Sequence, residues 1–149
     1  MNKTNNKNNK HYFAYGSNMD HAQMSQRCPF AVFAGAGKIH GYKFIINSCG
    51  AATIIPQKSG EVYGVLWNIT KINERVLDKY EGVKWGKYEK LTIDVELTKG
   101  KSVPALTYVA RDNTFGAPSP GYMERIVIAA VQHGLPDKYI AELVSWRDK

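Results

Sequence analysis

The chain has 149 residues and 16.7 kDa, enough for one compact domain with a modest core. Hydrophobic residues make up 44% and charged residues 22%, which excludes a disordered chain, and no apolar run reaches the roughly 18 residues of a spanning helix. The net charge of +7 raises a nucleic-acid partner, but three of the lysines stand in the first ten residues and the others alternate with acids, as in Lys84 to Lys90, a pattern that reads as a soluble face.

Residues 1–10, rich in Asn and Lys, read as a disordered tail rather than a secretory signal, because they hold nothing to bury. A single unit from 11 to 149 is expected to follow. His11–Tyr15 predicts a short first strand running into a turn at Gly16-Ser17-Asn18. A short helix over Met19–Arg27, with Asp20 near its start, comes next. Lys38–Ser48 and Glu61–Ile69 read as strands, the second buried on both faces. Thr70 is a good N-cap for a helix from Lys71 to about Tyr80, with Ile72, Val76 and Tyr80 beside Leu77 as its apolar stripe and Gly82 as its stop. Leu91, Ile93, Val95 and Leu97 alternate with polar residues, which predicts a strand with one wet face. Lys99-Gly100-Lys101 turns it into a returning strand over Val103–Ala110. Ser119 and Pro120 are expected to open a helix whose stripe is Met123, Ile126, Val127, Ala130 and Val131. Gly134 ends it, and Pro136 starts another, with Tyr139, Ile140, Leu143 and Val144 inward. Trp67 and Trp146 read as core residues and Trp85 as a loop residue. Strands first and helices mostly last give an α+β class.

Cys28 and Cys49 stand without a CxxC or a neighbouring His pattern, which argues against a disulfide scaffold or a zinc site. The simplest placement is the reducing cytoplasm. Three segments can carry chemistry. In Tyr15-Gly16-Ser17-Asn18 a glycine and small polar residues let backbone N–H groups converge on an anion, or simply end a strand. Ser17 lacks a GxSxG elbow and a histidine at an identifying spacing, so it does not read as a nucleophile. Glu81 falls at a helix C-terminus, where partial negative charge disfavours a carboxylate, and Tyr80, Val83 and Trp85 are bulky enough to desolvate it. It is either a proton shuttle of raised pKa or an exposed acid. Ala117 to Tyr122 makes a rigid approach to a helix, with Tyr122 either packing or lending its hydroxyl to a ligand.

In sequence order, Tyr12-Phe13-Ala14-Tyr15-Gly16-Ser17-Asn18-Met19, Gly64-Val65-Leu66-Trp67, Leu77 to Val83 and Ala117 to Tyr122 together resemble the gamma-glutamylcyclotransferase family. The resemblance runs from about Tyr12 to Leu143. It implies a small mixed β-barrel flanked by helices and the release of 5-oxoproline from a γ-glutamyl amino acid or amine. It also implies a γ-glutamyl site on Tyr12, Phe13, Ala14, Tyr15, Gly16, Ser17 and Asn18, with Glu81 as proton acceptor and Tyr88 and Tyr122 lining the site. No metal or other cofactor is implied. The expected partner is a small γ-glutamyl molecule, with no membrane and with a homodimer left open. The rival reading is a non-catalytic module on the same fold, binding a small molecule or nucleic acid.

Overall fold

Strand β1 (Lys10–Ala14) has only five residues, yet the sheet closes through it. In the computed structural model, which describes residues 9–149, β1 pairs antiparallel with β3 (Ala52–Ile69) from Lys10↔Ile69 to Ala14↔Val65. On its other edge it meets β5 (Ser102–Ala110) in parallel at Tyr12↔Leu106. β2 (Val32–Ile46) lies antiparallel to β3, and β4 (Tyr88–Leu97) runs from a short pairing with β2 at Gly37 and Lys38 into a long antiparallel one with β5. The order β1-β3-β2-β4-β5 is a closed barrel of mixed sense, the architecture the resemblance implies. Of the tail expected at residues 1–10, residues 1–8 lie outside the described residues. Lys10, assigned to that tail by composition, is the first residue of β1, and its ammonium lies 3.1 Å from Glu74.

Closure leaves no free edge, and the fully buried Phe13, Ile39, Val65, Leu66 and Val95 form part of the core around the barrel. Four helices flank it: α1 (His21–Arg27), α2 (Lys71–Tyr80), α3 (Tyr122–Gln132) and α4 (Asp137–Arg147). They add Met24, Leu77, Ile126 and Leu143 to the core. Trp67 and Trp146 are buried and Trp85 is exposed, as read from the sequence. Both β2 and β3 begin earlier than periodicity suggests. β2 keeps pairing across register shifts near Gly35 and Gly41, and irregularities of this kind break the alternation on which strand reading relies.

Two helix expectations need correction. In α2 two residues of the expected apolar stripe, Ile72 and Tyr80, are exposed, at 69% and 58%, while Asn73 and Leu77 face the core. The inward row thus runs 73, 77, 81, one helical repeat apart, and includes a polar residue that an apolar search skips. Asn73 can be buried because it is bonded throughout. Its side chain completes a capping box with Thr70 and donates to the Pro29 carbonyl at 3.2 Å. Helix α3 begins at Tyr122 behind Gly121 in the left-handed region, so Ser119 and Pro120 precede it without capping it. On α3, Ala129 is buried and Val131 is 57% exposed.

Gly64 shows how tightly β1 is held. A Cβ at this position would lie 2.3 Å from the Ala14 carbonyl oxygen and 2.9 Å from the Phe13 ring. Gly64→Ala is expected to cost about 2–3 kcal/mol through overpacking of a rigid backbone contact. Gly16→Ala, whose Cβ meets only Ala52 Cβ at 3.5 Å, is expected to cost far less. Urea denaturation of the two variants beside the parent measures the difference.

Candidate active site

After Ala14 the chain leaves β1 through Tyr15 and Gly16 and enters a single 3-10 turn, Ser17–Met19. The turn is closed by the Met19 N–H donating to the Gly16 carbonyl at 3.1 Å. The N–H groups of Gly16, Ser17 and Asn18 precede that closure and find no acceptor among the described residues. Asn18 is the buried anchor of the turn. Its Nδ2 donates to the Tyr12 hydroxyl at 3.0 Å, and its Oδ1 accepts from Gln23 at 3.0 Å and Arg27 at 2.9 Å. Its carbonyl takes the indole N–H of Trp67 at 3.0 Å. Ser17 Oγ accepts from Gln23 Nε2 at 2.6 Å.

This turn forms one wall of a small polar cavity of about 50 Å³, which Glu81, Tyr88 and Tyr122 also line. Glu81 is the C-cap of α2, its N–H donating to Leu77 at 2.9 Å, and Gly82 ends the helix with φ at 64°. Because 81 continues the row of Asn73 and Leu77, its side chain points inward. Among the described residues its carboxyl oxygens accept no hydrogen bond. Burial pushes the Glu81 carboxyl up from 4.5 to about 7, and the positive charge of Arg27 opposes part of that rise. The source of the burial differs from the sequence expectation. Tyr80 and Trp85 are mostly exposed, the latter at 80%, and the desolvating wall comes instead from tyrosines on the barrel and α3.

Those tyrosines are fixed in place. The Tyr88 hydroxyl donates to the Ala52 carbonyl at 2.8 Å, and the Ala52 amide donates to the Tyr122 hydroxyl at 3.1 Å. The Tyr15 hydroxyl donates to the Tyr108 carbonyl at 2.5 Å, and the Tyr108 hydroxyl donates to Asp78 at 2.7 Å. Burial, with the nearby Glu81 charge adding to it, raises Tyr12 and Tyr88 well above the ordinary phenol value, and burial likewise raises Tyr122. All three stay neutral at any working pH; Tyr88 spends its proton on Ala52, whereas Tyr12 and Tyr122 accept from Asn18 and Ala52 and keep theirs. The site can therefore offer one acid that exchanges a proton near neutrality, neutral phenols, and backbone N–H groups left without an acceptor among the described residues.

Residues 61–143 match the AIG2-like family. Gamma-glutamylcyclotransferase from Mus musculus is 34% identical over 142 residues, covering 89% of this chain and 76% of its own length. The Homo sapiens protein of the same name is 32% identical over 142 residues with the same coverage. A solved structure of a gamma-glutamyl cyclotransferase superposes with a TM-score of 0.86 at 32% identity, over 93% of this chain and 88% of that one. The chain belongs to the gamma-glutamylcyclotransferase family. It is an enzyme of that family, built on the same barrel.

Of the residues the family resemblance singled out, the structure gathers Tyr12, Tyr15, Gly16, Ser17, Asn18, Glu81, Tyr88 and Tyr122 around one cavity. Phe13 and Ala14 are not on its wall. Both are buried in the core, Phe13 against the Gly64 backbone, and strand alternation turns Phe13 away from Tyr12. Sequence reading missed Ala52, Thr107, Tyr108, Gln23 and Arg27. Ala52, Thr107 and Tyr108 bear no motif and reach the cavity only through barrel pairing. Arg27 was visible only as the last residue of a short helix. A larger groove of about 700 Å³ lies between the β2–β3 pair and α4, walled by Tyr63, Tyr139 and Trp146. It holds neither Glu81 nor the turn.

The raised Glu81 carboxyl has a consequence for stability. Its folded value, about 7, lies above the unfolded one near 4.5, so the fold binds the proton more tightly than the unfolded chain does. Stability is greatest below the unfolded value, falls as pH rises through this window, and levels off above it. The full cost is at most roughly 3–4 kcal/mol. Glu81→Gln removes it, so the variant is expected to be more stable than the parent at pH 8 and nearly equal to it at pH 4. Urea denaturation at the two pH values checks the sign.

Proposed function

We propose that the chain releases 5-oxoproline from a γ-glutamyl amino acid or γ-glutamyl amine, with Glu81 carrying the proton. The observation that supports this reading most is the pairing, in one cavity, of an acid that titrates near neutrality with a turn of open N–H groups. In this reading the N–H groups of Gly16, Ser17 and Asn18 hold the substrate's α-carboxylate. The ionised Glu81 takes a proton from the α-ammonium, and the freed amine attacks the γ-carbonyl carbon. A five-membered ring closes as a tetrahedral oxyanion forms, and the hydroxyls of Tyr12 and Tyr122, whose protons are not committed to an acceptor among the described residues, donate to that oxygen. Protonated Glu81 then gives its proton to the amide nitrogen and the C–N bond breaks; Glu81, ionised again, takes the second proton from the ring nitrogen and passes it to the departing amine or amino acid, which leaves with an ammonium group. Because the attacking amine is tethered to its target, holding the folded substrate supplies much of the acceleration and no protein nucleophile is needed.

Screening a panel of γ-glutamyl amides for 5-oxoproline tests the reading directly. Turnover of at least one amide is expected, and binding without product across the panel would favour the non-catalytic module. Since only ionised Glu81 accepts the proton, kcat/KM is expected to rise with pH up to about 7 and to flatten above it. Glu81→Gln is expected to lower kcat by about 10²–10⁴ with a much smaller change in KM. Turnover within about threefold of the parent would end the proton-shuttle role. Gly16→Val narrows the approach to the turn and is expected to raise KM about tenfold, the loss of one charge-assisted hydrogen bond. An unchanged KM in the folded variant would end the anchoring role.

A further inference from the structure

Arg27 is the last residue of α1, and its guanidinium touches both halves of the site. Its Nη1 donates to Asn18 Oδ1 at 2.9 Å, while its Cζ lies 4.3 Å from the ring centroid of Tyr80, the residue before Glu81. The turn and the end of α2 are 62 residues apart in sequence at Asn18 and Tyr80, and this one side chain spans them. The Asn18 contact does more than tether. With Oδ1 taken by Arg27 and Gln23, the amide of Asn18 can only point its Nδ2 at the Tyr12 hydroxyl, where it is found.

We propose that Arg27 is the positioning residue of this site, clamping the substrate-binding turn to the helix end that carries Glu81 and supplying the cation that Glu81 faces there. The proposal rests on the reading of Glu81 as the base. The groups that share the cavity with Glu81 are Tyr12 from β1 and Tyr15 just after it, Tyr88 from β4, Tyr108 from β5 and Tyr122 from α3, and Arg27 from α1 is the cation whose charge reaches it. The tyrosines are neutral, and Asp78 on α2 is bonded to both Tyr108 and Lys90. Arg27 is accordingly the charge that offsets the desolvation of the Glu81 carboxyl, in keeping with the direction of its effect there. Its planar face suits the Tyr80 ring and its fork suits the Asn18 oxygen, which an ammonium would satisfy only in part.

Two variants separate the charge from the clamp. Arg27→Gln removes the charge, so the Glu81 carboxyl should titrate at higher pH than in the parent, and the rising limb of kcat/KM should move with it. Arg27→Lys keeps a charge but loses the fork and the planar stack. It should restore the limb while raising KM about tenfold, as expected from loosening a charge-assisted bond to the turn. Carbon-13 NMR of the Glu81 carboxyl reads the titration without activity, with the signal assigned by its loss in Glu81→Gln. An unmoved titration in folded Arg27→Gln would overturn the charge role, and a parental KM in Arg27→Lys would overturn the clamp. Full turnover by Glu81→Gln would instead defeat the reading of the base and leave the NMR result standing, so the two failures are distinguishable.

Discussion

The double pairing of β1 governs the architecture. A strand of five residues makes an antiparallel ladder with β3 on one edge and a parallel contact with β5 on the other, and closure of the barrel depends on both. Gly64 keeps that seam close, because its missing side chain leaves room for the Ala14 carbonyl and the Phe13 ring. The turn that follows β1 inherits this rigidity. Asn18 takes it over by bonding Tyr12 of the barrel, Gln23 and Arg27 of α1, and Trp67 of β3. A buried asparagine whose side chain and carbonyl are both bonded is costly to move, so the open N–H groups of Gly16, Ser17 and Asn18 are held in one arrangement.

Glu81 works against that background of satisfied groups. Nearly every polar side chain in the cavity wall has a protein partner, whereas the carboxyl of Glu81 has none among the described residues. The fold tolerates this because α2 is anchored well elsewhere, through the Thr70–Asn73 capping box and the ion pairs of Glu74 with Lys10 and Lys90. The helix thus spends part of its stability on presenting an acid in a poorly solvated place, a pattern common where chemistry demands a shifted proton affinity.

The sequence made much of this legible, and unevenly so. Helix α2 was readable to the residue because its start carries a cap with a mechanism and its end a glycine that can turn left-handed. The wet-faced strand β4 was readable because alternation survives where one face meets water. The beginnings of β2 and β3 were hidden by register shifts, and the inward face of α2 by the use of a polar residue in the core. At the site, Tyr15 to Asn18 and Glu81 stood out through glycine, small polar residues and a helix end. The environment of Glu81 did not, since Ala52, Thr107 and Tyr108 become its neighbours only when distant strands pair. Local chemistry marks which residues can act, and long-range pairing decides what surrounds them.

That dispersal bears on how the enzyme comes into being. The Tyr15–Tyr108 bond joins residues 93 apart, and the bond between Ala52 and Tyr122 joins residues 70 apart. During synthesis the Gly16–Asn18 turn leaves the ribosome early and Glu81 follows, but the cavity has no far wall until β5 and α3 have emerged and the barrel has shut. A nascent chain, or a fragment ending after α2, carries the acid and the turn without Tyr88, Tyr108 and Tyr122, which complete the wall around them. Such contacts between remote segments are also the slow ones to form. Activity therefore arrives late, as a single event, and its onset in a refolding chain marks the moment of barrel closure.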